Sequence, residues 1–352
     1  MEKGHEIEIS VIIPIYNVEQ YLPECLDSVV GQSFKDFEAI CVIDGATDRS
    51  EEILREYMKR EERIILVSQK NQGVAAARNA GIDKARGKYL YFLDSDDKLA
   101  PDALREMHEK IVRDDLDLLM FETHLIIDQD YRDRGEANRD YYEIKNDYPG
   151  IYTGTEYLTK AITNDEHMAT VWTKLIKKNL LQINDINFYP GIEREDELFT
   201  IKLLYHAKRV GMLRKKLYYH RIRNDSIMQA NRSFSQAHGC FVGFMEIVKL
   251  LERDRDKYTE DKEIYYSYAK TLLRYARQVY AGYLSQEEKD KYLNLPPAQR
   301  TWFEAAVVEI TEANEAKANL KKKYNSIKNS RAYRVSKAII WPAKVLRGAK
   351  AK

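Results

Sequence analysis

Short apolar runs alternate with amphipathic stretches over the first 123 residues of this 352-residue chain. This alternation is typical of a parallel β-sheet covered by helices. The apolar runs predict strands at residues 9–15, 37–44, 63–68, 89–94 and 116–123. The stretches between them predict helices at residues 18–32, 50–59, 73–86 and 102–114. The chain is therefore expected to begin with a doubly wound α/β domain.

The pattern becomes more helical after residue 128. Residues 128–155 are polar and rich in Tyr, which predicts a loop or excursion. The patterns that follow predict helices at 155–163, 170–181 and 195–206, a strand pair or a strand with a turn at 209–220, a helical block at 234–283 interrupted at 252–262, and a helix at 299–324.

The composition is that of a soluble globular protein, with 44% hydrophobic and 32% charged residues. The three cysteines are odd in number and widely spaced, which argues against a disulfide framework or a zinc cluster and favours a reducing compartment. The first residues lack the pattern of an export signal. We therefore expect a cytoplasmic protein.

The net charge of +1 hides a strong asymmetry along the chain. Residues 316–352 contain 12 Lys or Arg and no Asp or Glu, whereas the preceding residues contain 45 basic and 56 acidic side chains. The apolar part of this tail is shorter than the about 20 residues that span a bilayer. Two interpretations remain open: attachment to an anionic membrane surface, and a solvated basic helix or oligomer contact.

Carboxylates cluster where the predicted strand 89–94 ends. Asp94, Asp96 and Asp97 follow an apolar run directly, with Ser95 between them. Ligands bind at the carboxyl ends of parallel strands, and Mg²⁺ or Mn²⁺ relieves repulsion between such carboxylates. The alternative is that Ser95 or Asp97 caps the element that follows.

Two other predicted strands end at the same edge of the sheet. Asp44 closes the strand at 37–44, and Pro14 and Tyr16 lie at the end of the first strand. Taken alone, Asp44 is equally explained as a turn residue before Gly45. The convergence of these side chains at one edge favours a ligand site.

Three segments carry a resemblance to a known family: IPIYN at 13–17, VIDGATDRS at 42–50 and NQGVAAARNAGIDKARGKYLYFLDSDD at 71–97. Together they resemble the inverting glycosyltransferase family 2 of bacterial cell-surface polysaccharide synthesis, over roughly residues 8–225. The resemblance implies an α/β fold of the GT-A (Rossmann-like) type that binds nucleotide sugars, with a mostly helical C-terminal region. One departure is Ala46, where the family usually has Ser.

The resemblance implies roles for residues of the donor site. Asp44 would bind the base, Pro14 and Tyr16 would line the base and ribose pocket, and Arg78 would lie near the base or phosphates. Asp96, with Asp94, would hold Mn²⁺ or Mg²⁺. The implied nucleotide-sugar site comprises Pro14, Tyr16, Asp44, Arg78, Asp94, Ser95, Asp96, Arg221 and Arg223.

The resemblance also implies the catalytic residues. Asp196 would take the proton from the acceptor hydroxyl, and Glu195 would support it or contact the acceptor. The alternative is that these acids only favour a helix N-terminus. Trp172 and Lys174 resemble an acceptor-side element, although Trp172 is equally explained as a core residue.

The segment 218–227 resembles the family's Tyr-Tyr-x-Arg-x-Arg-x-x-Ser-Ile stretch. Arg221 and Arg223 would approach the diphosphate, and His220 would complete the metal shell. Relatives more often carry Tyr at the position of His220, so an ordinary packed histidine is the alternative.

The expected organisation is a glycosyltransferase domain at 1–225, with a donor half at about 1–125 and an acceptor half at about 126–225. A helical region at 226–315 and a basic amphipathic tail at 316–352 follow. The expected reaction is transfer from a UDP-sugar to a saccharide or lipid-linked acceptor, with a homo-oligomer left open and no nucleic-acid partner. A nucleotidyltransferase and a non-catalytic nucleotide-sugar-binding protein are the alternatives.

Overall fold

The computed structural model describes residues 6–127, 143–167, 169–222, 232–254 and 261–329. The strands are β1 (Ile9–Ile15), β2 (Phe37–Asp44), β3 (Ile64–Gln69), β4 (Tyr89–Phe92), β5 (Lys98–Leu99), β6 (Leu118–Ile127), β7 (Lys174–Lys177) and β8 (Val210–Ile222). The α-helices are α1 (Leu22–Val30), α2 (Ser50–Met58), α3 (Val74–Lys84), α4 (Ala103–Arg113), α5 (Gly154–Thr163), α6 (Lys178–Asn184), α7 (Glu195–His206), α8 (Phe234–Arg253), α9 (Asp261–Gly282), α10 (Gln286–Asp290), α11 (Pro297–Phe303) and α12 (Ile310–Asn329).

The strands form one mixed sheet in the order β3-β2-β1-β4-β7-β6-β8-β5. β3, β2, β1 and β4 are parallel, as the sequence predicts. β7 then runs antiparallel to both of its neighbours, β4 and β6. The prediction of a wholly parallel sheet is therefore wrong beyond β4, because a strand from later in the chain separates β4 from β6.

Several predicted elements are confirmed to the residue. β1 and β2 have the predicted bounds, and every residue in both strands is buried. This follows from their central position, since a parallel strand covered on both faces reads as a continuous apolar run. The predicted helix at 195–206 is also confirmed, as α7.

The predicted helix at 170–181 is wrong. This segment forms a short 3₁₀ turn at Val171–Thr173, the strand β7 and only then α6. Leu175 and Ile176 are fully buried between β4 and β6. Pairing with two distant strands overrides the helical spacing of the apolar residues here.

The region after β8 is mostly helical, as predicted. β8 itself is one strand with irregular register against β6 rather than a strand pair. α8 ends at Arg253 and α9 begins at Asp261, in agreement with the predicted interruption, and a π-helical stretch at Glu304–Glu309 separates α11 from α12. Residues 128–142 of the predicted loop, and the tail from residue 330, lie outside the described residues.

None of the helices that the structure describes is both long enough and apolar enough to cross a bilayer.

Candidate active site

The first strand ends in a buried proline and an exposed tyrosine. Pro14 lies within the fully buried β1, and Tyr16, just beyond it, is 49% exposed. Asn17 follows with a positive φ of 50°, and its side-chain Oδ1 accepts a hydrogen bond from the backbone of Thr47 at 2.8 Å. The Tyr16 ring is therefore presented at the carboxyl edge of the sheet beside the turn that follows β2.

Asp44 is buried at the end of β2, and its carboxylate already has three donors. Oδ1 accepts from Nε2 of Gln69 and from the backbone of Gln72, and Oδ2 accepts from the backbone of Gly73, each at 2.8 Å. These bonds fix the start of α3. Asp44 therefore has a structural role. The predicted contact with a base would have to use the same carboxylate.

Arg78 on α3 connects Asp94 with Glu195. Its Nη2 lies 2.9 Å from Oδ1 of Asp94, and its Nη1 lies 2.6 Å from Oε1 of Glu195. Burial would lower the pKa of Arg78, but the two carboxylates raise it above its ordinary value. The structure thus brings together the Asp94 loop and the start of α7, although Arg78 itself is committed to protein carboxylates.

Asp97, the third acid of the loop after β4, is almost completely buried. Its carboxylate accepts from the hydroxyl of Tyr218 at 2.5 Å, from the backbone of Arg221 at 2.6 Å and from Nδ1 of His220 at 2.9 Å. Burial raises the pKa of Asp97 to about 6. Asp97 therefore ties the acidic loop to β8, and neither it nor the neighbouring buried Ser95 caps a helix, since the two-residue strand β5 follows.

His220 packs against Trp172. The two ring centroids lie 5.0 Å apart with an interplanar angle of 16°, and Trp172 also stacks on Tyr218 at 4.5 Å. Burial opposes protonation, but the hydrogen bond to Asp97 and the Asp97 charge raise the pKa of His220. His220 and Trp172 are thus part of a packed aromatic layer next to the acidic loop.

Arg221 is also engaged by protein groups. Its Nε donates to the carbonyl oxygen of Asp96 at 3.1 Å, its Nη2 pairs with Glu24 of α1, and its guanidinium lies 5.1 Å from the centre of the Tyr21 ring. Arg221 therefore fixes the backbone of the acidic loop. Arg223, which the sequence analysis placed near the diphosphate, lies outside the described residues.

The first turn of α7 contains three consecutive acids in different environments. Glu195 is paired with Arg78, and Glu197 is paired with Arg194. Within the described part of the chain, no group donates a hydrogen bond to the Asp196 carboxylate, although this residue is only partly exposed. Asp196 is therefore held between two anchored neighbours with its own oxygens uncommitted.

The electrostatic environment makes Asp196 a stronger base than an ordinary aspartate. Burial, followed by the charge of Glu195, raises its pKa to about 7, and Arg78 opposes this shift. Lys174 of β7 is fully buried, and its Nζ donates to the carbonyl oxygen of Thr170 at 2.5 Å. Burial lowers the pKa of Lys174 to about 7, against the attraction of Asp196 and then Glu197.

Mg²⁺ and Mn²⁺ prefer oxygen ligands, which the carboxylates of the loop after β4 can supply. Over the described ranges, no three His, Cys, Asp or Glu side chains are grouped closely enough to hold a metal ion. A hard divalent cation needs only one or two protein carboxylates when phosphate and water supply the remaining ligands. Asp94 and Asp96, both partly exposed, fit a cation that binds together with a diphosphate.

Three residues of the site were missed by sequence reasoning. Asp97 has its partners on β8, more than 120 positions away, and Glu24 lies on the first helix. Arg194 directly precedes the acids of α7, and nothing in the sequence assigned it a role. The one available signal was a third acid within the four residues 94–97, after β4.

Comparison with known proteins gives a consistent picture. The model of the family "Glycosyl transferase family 2" matches residues 10–180. Glycosyltransferase GlyG of Streptococcus pneumoniae serotype 4 is 30% identical over 244 residues, which cover 65% of this chain and 75% of that protein. Glycosyltransferase GlyA of the same organism is 32% identical over 226 residues, but these span only 31% of that longer protein.

A solved structure shares the fold. Residues 1–349 of TarS from S. aureus, crystallised in complex with UDP-GlcNAc, superpose with a TM-score of 0.59 and 24% sequence identity. The match covers 87% of this chain and 83% of that one. It extends beyond the α/β sheet into the helical C-terminal region.

Proposed function

This chain belongs to glycosyltransferase family 2, and we propose that it transfers a single sugar from a UDP-sugar to an acceptor hydroxyl with inversion at the anomeric carbon. The observation that carries this proposal is the state of Asp196. A partly buried carboxylate that accepts no hydrogen bond from the described residues and has a raised pKa is suited to accept a proton near neutral pH.

In the proposed reaction the acceptor oxygen attacks the anomeric carbon from the face opposite the diphosphate. The acceptor C–O bond forms as the bond between the anomeric carbon and the diphosphate oxygen breaks. The hydroxyl proton passes to the Asp196 carboxylate, and the bonding electrons leave with the nucleoside diphosphate. Glu195, held by Arg78, stays beside Asp196. Burial and then the charge of Glu195 keep the pKa of Asp196 high.

The donor is assigned to the carboxyl edge of the sheet. Tyr16, exposed at this edge, is proposed to contact the base or ribose, with Pro14 shaping the pocket floor. Asp44 is proposed to reach the base with the lone pairs that its three donors leave free. TarS binds UDP-GlcNAc, which supports a uridine nucleotide as the first donor to test here.

Asp94 and Asp96 are proposed to hold Mn²⁺ or Mg²⁺ together with the diphosphate. When bound, such a cation neutralises charge that develops on the leaving group. Arg221 supports this arrangement by fixing the carbonyl of Asp96. Nδ1 of His220 is engaged by Asp97, so this nitrogen is not the one proposed as a metal ligand.

The acceptor is proposed to be a saccharide or a lipid-linked saccharide in surface polysaccharide synthesis. Trp172 and Lys174 are both buried, which supports a role in shaping the acceptor side of the site rather than direct contact. The donor half is proposed to lie within residues 1–125 and the acceptor half within 126–225. The proposed helical region at 226–315 contains α8 and α9, which contact the start of α7 and the segment before it.

The basic tail is proposed to attach the cytoplasmic protein to the inner face of the plasma membrane, where lipid-linked acceptors lie. The tail begins with exposed lysines on α12, such as Lys317 and Lys321, and the residues that follow are also basic. Co-sedimentation with vesicles of anionic lipid tests this. Equal binding by the full chain and by a chain lacking residues 317–352 would eliminate the idea.

The test of the proposed reaction is a product assay with a panel of nucleotide sugars, Mn²⁺ and saccharide acceptors. We expect free UDP and a glycoside whose anomeric configuration, read by ¹H NMR, is opposite to that of the donor. Release of pyrophosphate would indicate a nucleotidyltransferase. Donor binding without turnover over the whole panel would indicate a binding protein.

A further inference from the structure

Helix α7 carries a second charged cluster, on the side of Glu197. The guanidinium of Arg194 donates to one carboxylate oxygen of Glu197, and the hydroxyl of Tyr268 donates to the other. The Glu197 side chain is only 14% exposed. Burial raises its pKa, but Arg194 and then Tyr268 outweigh burial and hold the pKa of Glu197 below its ordinary value. Glu197 is therefore an ionised anchor rather than a second base.

Arg194 needs an anchor because of its backbone conformation. Its φ of 65° and ψ of 36° lie in the left-handed region, which residues other than glycine rarely adopt. Arg194 forms the turn directly before α7, whose first two residues are Glu195 and Asp196. The guanidinium is also placed 4.9 Å from the centre of the Tyr275 ring. The conformation of Arg194 thus sets the direction in which the first turn of α7 leaves the preceding segment.

The C-terminal helices hold this turn from two sides. Tyr268 and Tyr275 both belong to α9. On the side of α8, a Cβ atom at Gly239 would lie 2.1 Å from the carbonyl oxygen of Glu193, so only glycine permits this approach. The Ser233 hydroxyl also donates to the Glu193 carboxylate at 3.3 Å. These helices lie outside residues 10–180, which the family model matches.

We propose that Tyr268 is a positioning residue for Asp196 and that the helical region is thereby part of the catalytic unit. This inference rests on the proposed role of Asp196 as the base. The Tyr268 hydroxyl acts through Glu197, which fixes Arg194 and so the first turn of α7. Displacement of a reacting group by about 1 Å is enough to lower turnover strongly. Donor affinity should change little, because the proposed donor contacts lie on other elements.

The experiment compares Tyr268→Phe with Tyr266→Phe in the full chain. Both substitutions remove one hydroxyl from α9, but Tyr266 is 45% exposed and has Nζ of Lys270 over its ring. We expect Tyr268→Phe to lower kcat about tenfold while the donor KM stays within about twofold. Tyr266→Phe should match the wild type in both constants.

A double-mutant cycle with Glu197→Gln identifies the route of the effect. If Tyr268 acts through Glu197, adding Tyr268→Phe to Glu197→Gln lowers kcat no further. An equal loss in both backgrounds, or wild-type kcat in Tyr268→Phe, would overturn the proposal. If Tyr268→Phe folds poorly, the same kcat-specific loss is expected from Glu197→Gln alone. Should Asp196→Asn lose turnover while Tyr268→Phe and Glu197→Gln both keep it, only this inference fails and the proposed function stands.

Discussion

Nη1 of Arg78 lies 2.6 Å from Oε1 of Glu195, although 117 positions separate the two residues in the chain. The same guanidinium pairs with Asp94. One buried side chain thus joins the loop after β4 to the helix that carries the proposed base. The distance between the acids of the proposed donor site and Asp196 depends on this side chain.

Replacing Arg78 with Lys should therefore lower kcat/KM by about a hundredfold, because an ammonium group does not span both carboxylates as the planar guanidinium does. Steady-state kinetics at saturating acceptor measure this loss. Arg55→Lys is the matched control, since Arg55 pairs with Glu51 at the surface. Comparable kinetics for the two variants would refute a bridging role for Arg78.

The pH dependence follows from the raised pKa of Asp196, about 7. A general base acts in its ionised form, so kcat/KM should rise with pH up to about 7 and then level off. A pH profile measured from pH 5 to pH 9 checks this. A flat profile, or one that falls as the pH rises towards 7, would contradict the assignment.

Asp97 should matter for stability more than its neighbours. Asp97→Asn replaces an acceptor of three hydrogen bonds with an amide that opposes some of these donors, so we expect a loss of about 2 kcal/mol in the free energy of unfolding. Urea denaturation measures it. Asp83→Asn, an exposed change on α3, should stay within about 0.5 kcal/mol, and an equally small effect at Asp97 would count against its anchoring role.

The proposed cation site predicts a linked effect of metal and nucleotide. UDP should raise the melting temperature of the wild type strongly only when Mn²⁺ is present, because a ligand that binds the folded state stabilises it. Asp96→Ala should abolish the Mn²⁺-dependent part of this shift and lower transfer by about a hundredfold or more. The control Asp83→Ala should retain both. A full Mn²⁺-dependent shift in Asp96→Ala would place the cation elsewhere.

The parallel half of the sheet was predictable because each of its strands is marked by its own short stretch of sequence. β1 and β2 are buried throughout, so their apolar runs have clear ends, and the GT-A fold that the family resemblance implied is confirmed. β7 was missed because its four residues, two apolar side chains between two lysines, have no strand signal of their own. Their conformation depends on pairing with β4 and β6, which lie far away in the chain.

In the candidate site, too, some residues were predictable from the sequence and others were not. Asp94 and Asp96 were picked out because acids directly follow a predicted strand, and Asp196 was picked out through the family resemblance of its segment. The anchoring contacts could not be predicted, since Asp97 meets β8 and Glu197 meets α9 only in the folded chain. Nothing in the sequence distinguishes Asp196 from Glu195 and Glu197 by partner. The structure shows that the flanking two are paired.

The central claim is that the carboxylate of Asp196 removes the proton from the acceptor. The most direct measurement is the rate of sugar transfer by Asp196→Asn at saturating donor and acceptor, with UDP binding determined on the same preparation. We predict a loss of about a hundredfold or more with unchanged UDP affinity, because the amide is isosteric but cannot accept the proton. Transfer within about threefold of the wild-type rate would contradict the account.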